Sequence, residues 1–554
     1  MKKPLNTIRL TLLALGILLQ ALPTHACTNL IVGKAASADG SVFVTYSADD
    51  YGSFGSMYFH QGGTHPKGEM RTIRDGDTNR LWGEIPQAVQ TYTVIGQMNE
   101  HQVSICETTF GGREELCDTT GLIDYTSLIR IALERSTSAR EAITVMTTLV
   151  EQYGYNSEGE SFSICDKNEA WIMEMIGKGP GNRGANWVAV RIPDDCIAAH
   201  ANQSRITRFN LKDKENVRYS KDLIKFAREK GFFTGKKDAD FSFRNAFAPS
   251  DFSATRYCEA RVWSLFNHFH RGMEVYADYA FGKDVNGEMP LYVKPDAPVT
   301  LRAVMAAMRD HYEDTPLDFR NQPGSGPYNM PYLPTPLEWE VEGQKYFNER
   351  PVSTQQTGFC AVCQMRSALP DAVGGILWFT NDDPNMAPFT PVYCGSTQVP
   401  TCYQRIPGQQ DDLHYAEGSA FWLQNTVSNY VYPYYSKMFP DLQQVRDSIE
   451  QGTFKEIPLL DSMTKVAMQS HPDNYRKLLT EYSAQKATDM MRRWKQLFQW
   501  LVVRHIDMAV RPLNPDGTFQ MNPHGYAARV QRPGYPEPYR RRIIKETGNK
   551  YLRK

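Results

Sequence analysis

Cys27 stands directly after a segment that has the composition of a secretory signal. The segment has a basic start, an apolar run over residues 10–19, and the small residues Thr24 and Ala26 at its end, which is the three-part pattern of an export signal. Cleavage after Ala26 would make Cys27 the first residue of the mature chain. We therefore expect a signal peptide over residues 1–26 and a periplasmic or secreted protein.

An N-terminal cysteine can act as a nucleophile without the help of a histidine. Its free α-amine sits on the same Cα as the thiol and titrates at about pH 8, close to about 8.5 for a thiol, so it can serve as the general base. The 12 histidines of the chain form no recognisable signature around a cysteine. Such a site still needs an acceptor that holds the amine, donors for a tetrahedral oxyanion and a carbonyl substrate within reach.

Lipid modification of Cys27 is the alternative to a free terminus. A lipoprotein signal places a branched aliphatic residue three positions before the cysteine, and that position is Thr24 here. We therefore favour an unmodified Cys27, and a lipid-anchored secreted binding protein is the rival function from a different class.

The other cysteines are expected to form disulfides, as is usual in an exported protein. The chain has ten cysteines: Cys27, Cys106, Cys117, Cys165, Cys196, Cys258, Cys360, Cys363, Cys394 and Cys402. With Cys27 set aside, nine remain, so at least one stays unpaired or pairs outside the chain. Cys360 and Cys363 form a CxxC motif without a partner motif at zinc-finger spacing, which favours a structural role.

Composition and charge set limits on the class of protein. With 41% hydrophobic and 22% charged residues, wholesale disorder is excluded, and a formal charge of −1 gives no reason to expect a nucleic-acid partner. The longest apolar run is too short and too N-terminal to span a membrane. After the signal we predict a catalytic domain over 27–405, a helical region over 406–528 packed on it, and an exposed basic tail over 529–554.

Periodicity predicts the elements that must position Cys27. Residues 27–33 and 41–46 are β-prone and flank a turn at 37–40, so they predict a hairpin that begins at the mature terminus. Further strands are expected at 91–95 paired with 103–106, at 161–165 paired with 171–175, and at 187–191 and 374–380. Helical periodicity appears at 125–134, at 139–152 and within 473–510.

Five blocks of sequence, in order, carry a family resemblance. They are Cys27 to Ser41 followed by Tyr46-Ser-Ala-Asp49, Met98-Asn-Glu-His-Gln-Val-Ser-Ile-Cys-Glu-Thr-Thr109, Ala199-His-Ala-Asn202-Gln-Ser-Arg205, Ala260-Arg261-Val-Trp, and Gly374-Gly-Ile-Leu-Trp-Phe-Thr-Asn-Asp-Asp383-Pro. Together they resemble the dipeptidase A family of cysteine N-terminal-nucleophile hydrolases, which is related to penicillin V acylases and bile-salt hydrolases. The resemblance covers most of the mature chain.

The resemblance implies an α+β fold. It is an αββα sandwich with the nucleophile at the start of a central strand, here extended by C-terminal helices. It also implies hydrolysis of small peptides, most often dipeptides, through a thioester acyl-enzyme, with no cofactor and no metal. The alternative on the same fold is an acylase acting on N-acyl amides or conjugated bile acids. The sequence leaves a homo-oligomer open.

Three site residues follow from the matched blocks. Asp49 matches the carboxylate that accepts a hydrogen bond from the α-amine of the nucleophile, and a turn residue closing the hairpin is the alternative. Asn202 matches an asparagine that supports the oxyanion and orients the nucleophile, and an Asx-turn is its competitor. Thr109 falls where the acylase relatives place an oxyanion-hole asparagine, and a backbone N–H could take that role instead.

Two arginines compete for one role, and one position departs from the family pattern. Arg256 and Arg261 are both candidates for the arginine near the thiol in the acylases, and either could equally form an ordinary ion pair. Tyr46 stands where many relatives have an arginine three residues before the aspartate. The contacts with a substrate carboxylate that are assigned to that arginine therefore do not carry over.

Two other features are expected to be structural. Asn381, Asp382 and Asp383 lack the spaced ligands of a calcium loop, so we expect a solvated or capping turn. Large aromatic residues in strand-like runs are usually core, which is the expected role of Trp82, Trp171, Trp187 and Trp378.

Overall fold

The computed structural model describes residues 26–76, 78–320, 322–333, 338–347, 349–471 and 474–553. The signal peptide expected over residues 1–26 therefore lies outside the described residues, apart from the backbone of Ala26. Among the described residues no helix is both long enough and apolar enough to cross a membrane.

Within the described residues the strands form two large antiparallel sheets and three small two-stranded sheets. In chain order they are β1 (Ala26–Val32), β2 (Val42–Asp49), β3 (Phe59–His60), β4 (Gly63–Thr64), β5 (Met70–Arg74), β6 (Leu81–Pro86), β7 (Gln90–Thr91), β8 (Val94–Ile95), β9 (Met98–Asn99), β10 (Ser104–Gly111), β11 (Gly159–Cys165), β12 (Ala170–Gly177), β13 (Ala185–Ile192), β14 (Ile197–His200), β15 (Val217–Tyr219), β16 (Tyr292–Val293), β17 (Glu338–Val341), β18 (Gln344–Phe347), β19 (Thr357–Met365), β20 (Gly375–Asn381) and β21 (Thr390–Tyr393). The first sheet has the order β16-β14-β1-β2-β19-β20-β21, and the second has the order β15-β13-β12-β11-β10-β9-β8-β3.

Helices flank the sheets and dominate the C-terminal part of the chain. They are α1 (Tyr125–Arg135), α2 (Ala139–Tyr153), α3 (Leu223–Glu229), α4 (Phe243–Phe247), α5 (Ala260–Asn267), α6 (Ala277–Ala280), α7 (Leu301–Ala307), α8 (Asp371–Gly374), α9 (Ala420–Val431), α10 (Tyr435–Ser470), α11 (Tyr475–Arg504) and α12 (Glu537–Thr547). A π-helical segment, Ala254–Glu259, leads directly into α5. The mixed helix and sheet class predicted from the sequence is confirmed, as is the helical C-terminal region.

Apolar side chains on the two faces of the strands form three apolar layers. Along β1, Ile31 packs into the layer between the two sheets, whereas Leu30 and Val32 pack on the opposite face against helices. Residues of α1 and α2 cover the outer face of the second sheet. Because successive side chains of a strand point to opposite faces, two helix-covered sheets bury both faces of their central strands.

The N-terminal hairpin is confirmed. β1 and β2 pair antiparallel with Cys27 opposite Ala48, and β1 is a central strand because β14 pairs with its other edge. The predicted pairing of 91–95 with 103–106 is wrong. Gly96 takes a positive φ of 55°, which only glycine adopts easily, so β8 turns back at once and pairs with β9 instead.

The expectation of disulfides is wrong, because all ten cysteines are free thiols. Cys106, Cys165 and Cys363 are fully buried in the layer between the sheets, where a thiol acts as a small apolar side chain. Cys360 packs in the layer on the other side of the first sheet. Since an odd spacing along β19 points the two CxxC thiols to opposite faces, the motif is structural.

The two features expected to be structural differ in outcome. Trp171 and Trp378 are fully buried, and Trp82 and Trp187 pack partly buried against the core, as predicted. The turn at Asp382 is not solvated, since Asp382 is only 1% exposed and accepts hydrogen bonds from Asn425 and Ser428.

The predicted helix within 473–510 corresponds to α11. The tail over 529–554 contains a helix, α12, that the sequence did not predict, and none of the residues of that helix is buried. Exposure of this segment agrees with the expectation of a solvated extension.

Candidate functional site

Cys27 lies near the start of β1 in the middle of the first sheet, and its side chain is only 5% exposed. Its backbone nitrogen donates a hydrogen bond to Oδ1 of Asn202 at 2.8 Å. The atom that would become the α-amine after signal cleavage therefore already has a side-chain acceptor.

Asn202 follows β14 and connects three parts of the site. Besides Cys27, its Oδ1 accepts a hydrogen bond from Nη2 of Arg261 at 3.0 Å, and its Nδ2 donates to the carbonyl oxygen of Thr109 at 2.8 Å. The residue has a φ of 61°, in the left-handed region that asparagine tolerates better than most residues. This backbone conformation accompanies a side chain bonded at both its oxygen and its nitrogen.

Arg261 fixes the backbone around Cys27. It is completely buried on α5, directly after the π-helical segment, a type of irregularity that is frequent at functional sites. Its Nη1 donates to the Cys27 carbonyl oxygen at 2.7 Å and to Thr28 Oγ1 at 2.8 Å. Further bonds reach the carbonyl oxygens of Ala201 at 3.1 Å and Tyr257 at 3.0 Å. Five donors in a planar fork suit this role, which a lysine could not fill.

Arg256, the competing candidate, faces another part of the molecule. It forms an ion pair with Glu349 and donates to the Phe281 carbonyl oxygen at 3.0 Å. Of the two arginines singled out by the sequence, the structure therefore brings Arg261 to Cys27.

Asp49 ends β2 and is buried beside Cys27. Its carboxylate accepts hydrogen bonds from Ser47 Oγ at 2.9 Å and Thr357 Oγ1 at 2.7 Å, and it pairs with Arg350. Burial raises the pKa of Asp49, and the three partners oppose that rise. The sequence assigned to Asp49 the acceptor role for the Cys27 nitrogen, but in this structure the acceptor is Asn202.

The hydroxyl of Thr109 is bonded to Glu160. Its Oγ1 donates to Oε1 of Glu160 at 2.8 Å, while its carbonyl oxygen accepts the bond from Asn202. The backbone of Thr109 therefore contributes to the site more directly than its side chain.

The side chains of Glu107 and Tyr46 lie next to the sulfur of Cys27. Glu107 Oε1 lies 3.8 Å and the Tyr46 hydroxyl 3.9 Å from Cys27 Sγ, and Tyr46 donates a short hydrogen bond of 2.5 Å to Glu107. Sequence reasoning did not single out Glu107. The available signal was a charged residue inside the buried strand β10, since glutamate is rarely buried without a specific partner.

The surroundings disfavour the thiolate in the unprocessed chain. Burial, followed by the carboxylates of Glu107 and Asp49, raises the pKa of the Cys27 thiol well above its ordinary value. The backbone N–H of Asp49, which hydrogen-bonds the sulfur, and the Arg350 guanidinium act in the opposite direction. A proton acceptor or a cation must therefore be supplied before the thiol becomes a good nucleophile at neutral pH.

His200, on the strand next to β1, is not set up as that acceptor. Its ring nitrogens lie 2.7 Å from Thr108 Oγ1 and 2.7 Å from Ser163 Oγ. Burial, helped by Arg205, lowers the pKa of His200 to about 3. The ring is neutral at physiological pH and holds the two sheets together.

Comparison with known proteins identifies the family. Residues 54–448 match the family model of peptidase family C69, a range that includes Asn202 and Arg261 and begins just after Asp49. The chain is 27% identical over 416 residues to "Probable dipeptidase" of Salmonella dublin, covering 71% of this chain and 85% of the relative.

Two further relatives agree. "Probable dipeptidase" of Latilactobacillus sakei is 24% identical over 428 residues, covering 74% of this chain and 82% of the relative. "Dipeptidase A" of Lactobacillus helveticus is 24% identical over 410 residues, covering 69% and 78%. The resemblance stated from the motifs is confirmed, and the chain belongs to peptidase family C69 as a cysteine-type hydrolase of peptide bonds.

Proposed function

We propose that the chain is an exported dipeptidase whose nucleophile is the Cys27 thiol, freed at the N-terminus by removal of the signal peptide. Two hydrogen bonds to the backbone of Cys27 carry the proposal. Asn202 binds its nitrogen, and Arg261 binds its carbonyl oxygen. The names of the relatives support dipeptides as substrates. The order of two sheets between helices supports the sandwich of the N-terminal-nucleophile hydrolases.

The reaction uses the two functional groups of Cys27. The α-amine takes the thiol proton, and the sulfur attacks the carbonyl carbon of the peptide bond to give a tetrahedral oxyanion. Collapse breaks the carbon–nitrogen bond, the ammonium returns its proton to the leaving amine, and a thioester remains. Water, deprotonated by the same amine, attacks the thioester and releases the amino acid with the thiol restored.

The surrounding residues have positioning roles in this scheme. Asn202 and Arg261 hold the nitrogen and the carbonyl group of Cys27, so the amine and the thiol keep a fixed relative orientation. The N–H of Asp49 stabilises negative charge on the sulfur. Thr109 and Asn202 are the side-chain candidates for the oxyanion, which requires that one of their present bonds is exchanged for the substrate.

Processing and activation are one event in this proposal. Before cleavage the Cys27 nitrogen is an amide without basicity, so the precursor is inactive. Mass spectrometry of the mature N-terminus from the native host tests this step. An unmodified Cys27 supports the proposal, whereas a diacylglyceryl mass supports the lipid-anchored alternative.

Substitution of Cys27 tests the mechanism. Mature Cys27→Ala protein assayed on a panel of dipeptides should lose at least a thousandfold in kcat/KM, and Cys117→Ala, at a half-exposed cysteine, should retain activity. Undiminished turnover in the Cys27→Ala protein would rule out the mechanism. Comparison of dipeptides with N-acylated amino acids separates the dipeptidase from the acylase alternative, which uses the same nucleophile.

A further inference from the structure

The Glu107 carboxylate lies next to the Cys27 sulfur, so a substrate attacked by that sulfur must bind beside it. It is 2% exposed, lies 3.8 Å from the sulfur, and is oriented by the hydroxyl of Tyr46. In the mechanism above it donates and accepts no proton.

We propose that Glu107, oriented by Tyr46, binds the free α-ammonium group of the dipeptide and thereby restricts the enzyme to substrates with an unblocked N-terminus. This inference rests on the proposed function, because it assumes attack by Cys27. It assigns a specificity-determining residue to the site and gives Tyr46 a role at the position where the expected arginine is missing.

The geometry of a dipeptide favours this assignment. The α-nitrogen is two bonds away from the carbonyl carbon under attack, so its binding group must lie within a few ångströms of the attacking sulfur. A near-attack sulfur lies about 3–3.5 Å from that carbon. Glu107 Oε1, 3.8 Å from the sulfur, lies within reach of an α-nitrogen two bonds from that carbon, whereas the carboxylate of Asp49 is bonded to Ser47, Thr357 and Arg350.

A second acid, Glu160, lies next to Glu107. Burial and the Glu107 carboxylate raise the pKa of Glu160 well above its ordinary value, and Glu160 accepts the Thr109 hydroxyl bond at 2.8 Å. A hydrogen bond to Glu107 acts in the same direction, so Glu160 and Glu107 form one acidic pair at the site, which an ammonium group complements.

Electrostatics links recognition to reactivity. A carboxylate next to a thiol opposes formation of the thiolate, so an ammonium group bound to Glu107 removes that opposition when the substrate arrives. An N-acyl substrate offers the Glu107 carboxylate no ammonium group, and a site built for a charged group rejects an analogue that lacks it. The same contact therefore disfavours the acylase function.

A matched pair of reagents tests the inference on mature protein. The reagents are the chloromethyl ketone of alanine with a free amine and its N-acetyl derivative, both of which alkylate the active-site thiol. In Glu107→Gln protein, alkylation of Cys27 by the free-amine reagent should slow about a hundredfold, while alkylation by the N-acetyl reagent stays within threefold or accelerates. Hydrolysis of L-alanyl-L-alanine should fall by a similar factor. Glu158→Gln, at an exposed carboxylate near the end of β10, should change neither rate.

Each result decides the question. Equal slowing of both reagents would mean that Glu107 serves the thiol itself, and unchanged rates would mean that it binds no ammonium, so either result overturns the inference. Tyr46→Phe keeps the ring and its packing on Phe359. Tyr46→Phe should lose selectivity between the two reagents in the same direction, by about five- to tenfold. If Glu107→Gln does not fold, unchanged selectivity in Tyr46→Phe would overturn the inference. Mass mapping of the alkylated residue separates the two proposals, since labelling elsewhere than Cys27 contradicts the proposed function and not the role of Glu107 alone.

Discussion

Asn202 accepts a hydrogen bond from the backbone nitrogen of Cys27 at 2.8 Å although the two residues are 175 positions apart in sequence. The contact connects the start of β1 with the segment after β14. In the proposed mechanism it sets the direction of the nitrogen that acts as the base, so this pair positions the proton acceptor of the thiol.

Removal of the Asn202 side chain should therefore reduce catalysis more than stability. In Asn202→Gly, which keeps the left-handed backbone, kcat should fall about a hundredfold, while unfolding free energy falls by about 1–2 kcal/mol for the lost hydrogen bonds. Asn202→Ala should show the same kcat and an additional destabilisation of about 1 kcal/mol from its positive φ. Kinetics and denaturant unfolding of both variants check this. Activity of the glycine variant within threefold of wild type would contradict it.

Arg261 and Arg256 provide a matched comparison of buried and half-buried arginines. Arg261→Lys keeps the charge but cannot form the five bonds of the fork, so we expect a loss of about a hundredfold in kcat/KM and lower stability. Arg256→Lys keeps a positive charge beside Glu349, away from Cys27, and should leave kcat/KM within about threefold. Similar losses in the two variants would show that the contact of Arg261 with the Cys27 carbonyl group is not important.

Local elements of the fold were predictable, whereas several contacts of the site were not. The β1–β2 hairpin follows from alternation and a turn within twenty residues, which is local information. Arg350 pairs with Asp49 over 301 positions, and nothing in the sequence around either residue indicates the partner. The disulfide expectation failed for a similar reason, because pairing depends on the distance and direction of two Cβ atoms and not on the number of cysteines.

The buried pair of Asp49 and Arg350 gives a prediction on stability. Arg350→Met should lower unfolding free energy by about 3–5 kcal/mol at neutral pH, because the charge of Asp49 loses its partner. The loss should shrink as the pH falls through the raised pKa of Asp49 in the folded chain, and should be smallest below about pH 4, where Asp49 is protonated in both states. The double variant with Asp49→Asn should recover a large part of the stability. Failure of the double variant to recover any stability in chemical denaturation would contradict the pairing argument.

The raised pKa of the Cys27 thiol predicts slow reaction in a chain that keeps a residue before Cys27. Burial and the carboxylates of Glu107 and Asp49 raise this pKa, so less thiolate is present at pH 7.5 than in free cysteine. The rate with iodoacetamide should be at least tenfold below that of free cysteine. It should still rise about tenfold per pH unit at pH 9, where a free thiol near 8.5 levels off.

The mature chain is the control for this measurement. In the proposed mechanism its α-amine accepts the thiol proton, so the rate should be higher at pH 7.5 and should level off at lower pH. Because restricted access slows a reaction equally at every pH, the shape of the profile separates access from ionisation. A profile for the extended chain that levels off below pH 8 would show that the carboxylates do not control the thiol.

Replacing Asp382 by asparagine should stabilise the folded chain by an amount that depends on pH. Burial raises the pKa of this carboxyl to about 7 in the folded chain, against about 3.9 when unfolded. Between these values the folded state keeps a proton that the unfolded state releases, so stability decreases as the pH rises from about 4 to about 7. Asp382→Asn removes this titration and should add about 1–3 kcal/mol at pH 8 and nothing at pH 4.

The surroundings of Asp382 accept the amide. Asn425 Nδ2 donates to the carboxylate at 2.9 Å, and an amide oxygen accepts that bond equally well. Ser428 Oγ already lies 3.0 Å from the Gln424 carbonyl oxygen, so its hydroxyl can donate there and accept from the new amide group. The φ of 59° suits asparagine.

Asp516→Asn is the control of opposite sign, because hydrogen bonds from Thr518 lower the pKa of that exposed carboxyl, and the change should reduce stability above pH 4. Thermal unfolding at pH 4 and pH 8 measures both variants, and a gain for Asp382→Asn that is equal at the two pH values would exclude its titration as the cause.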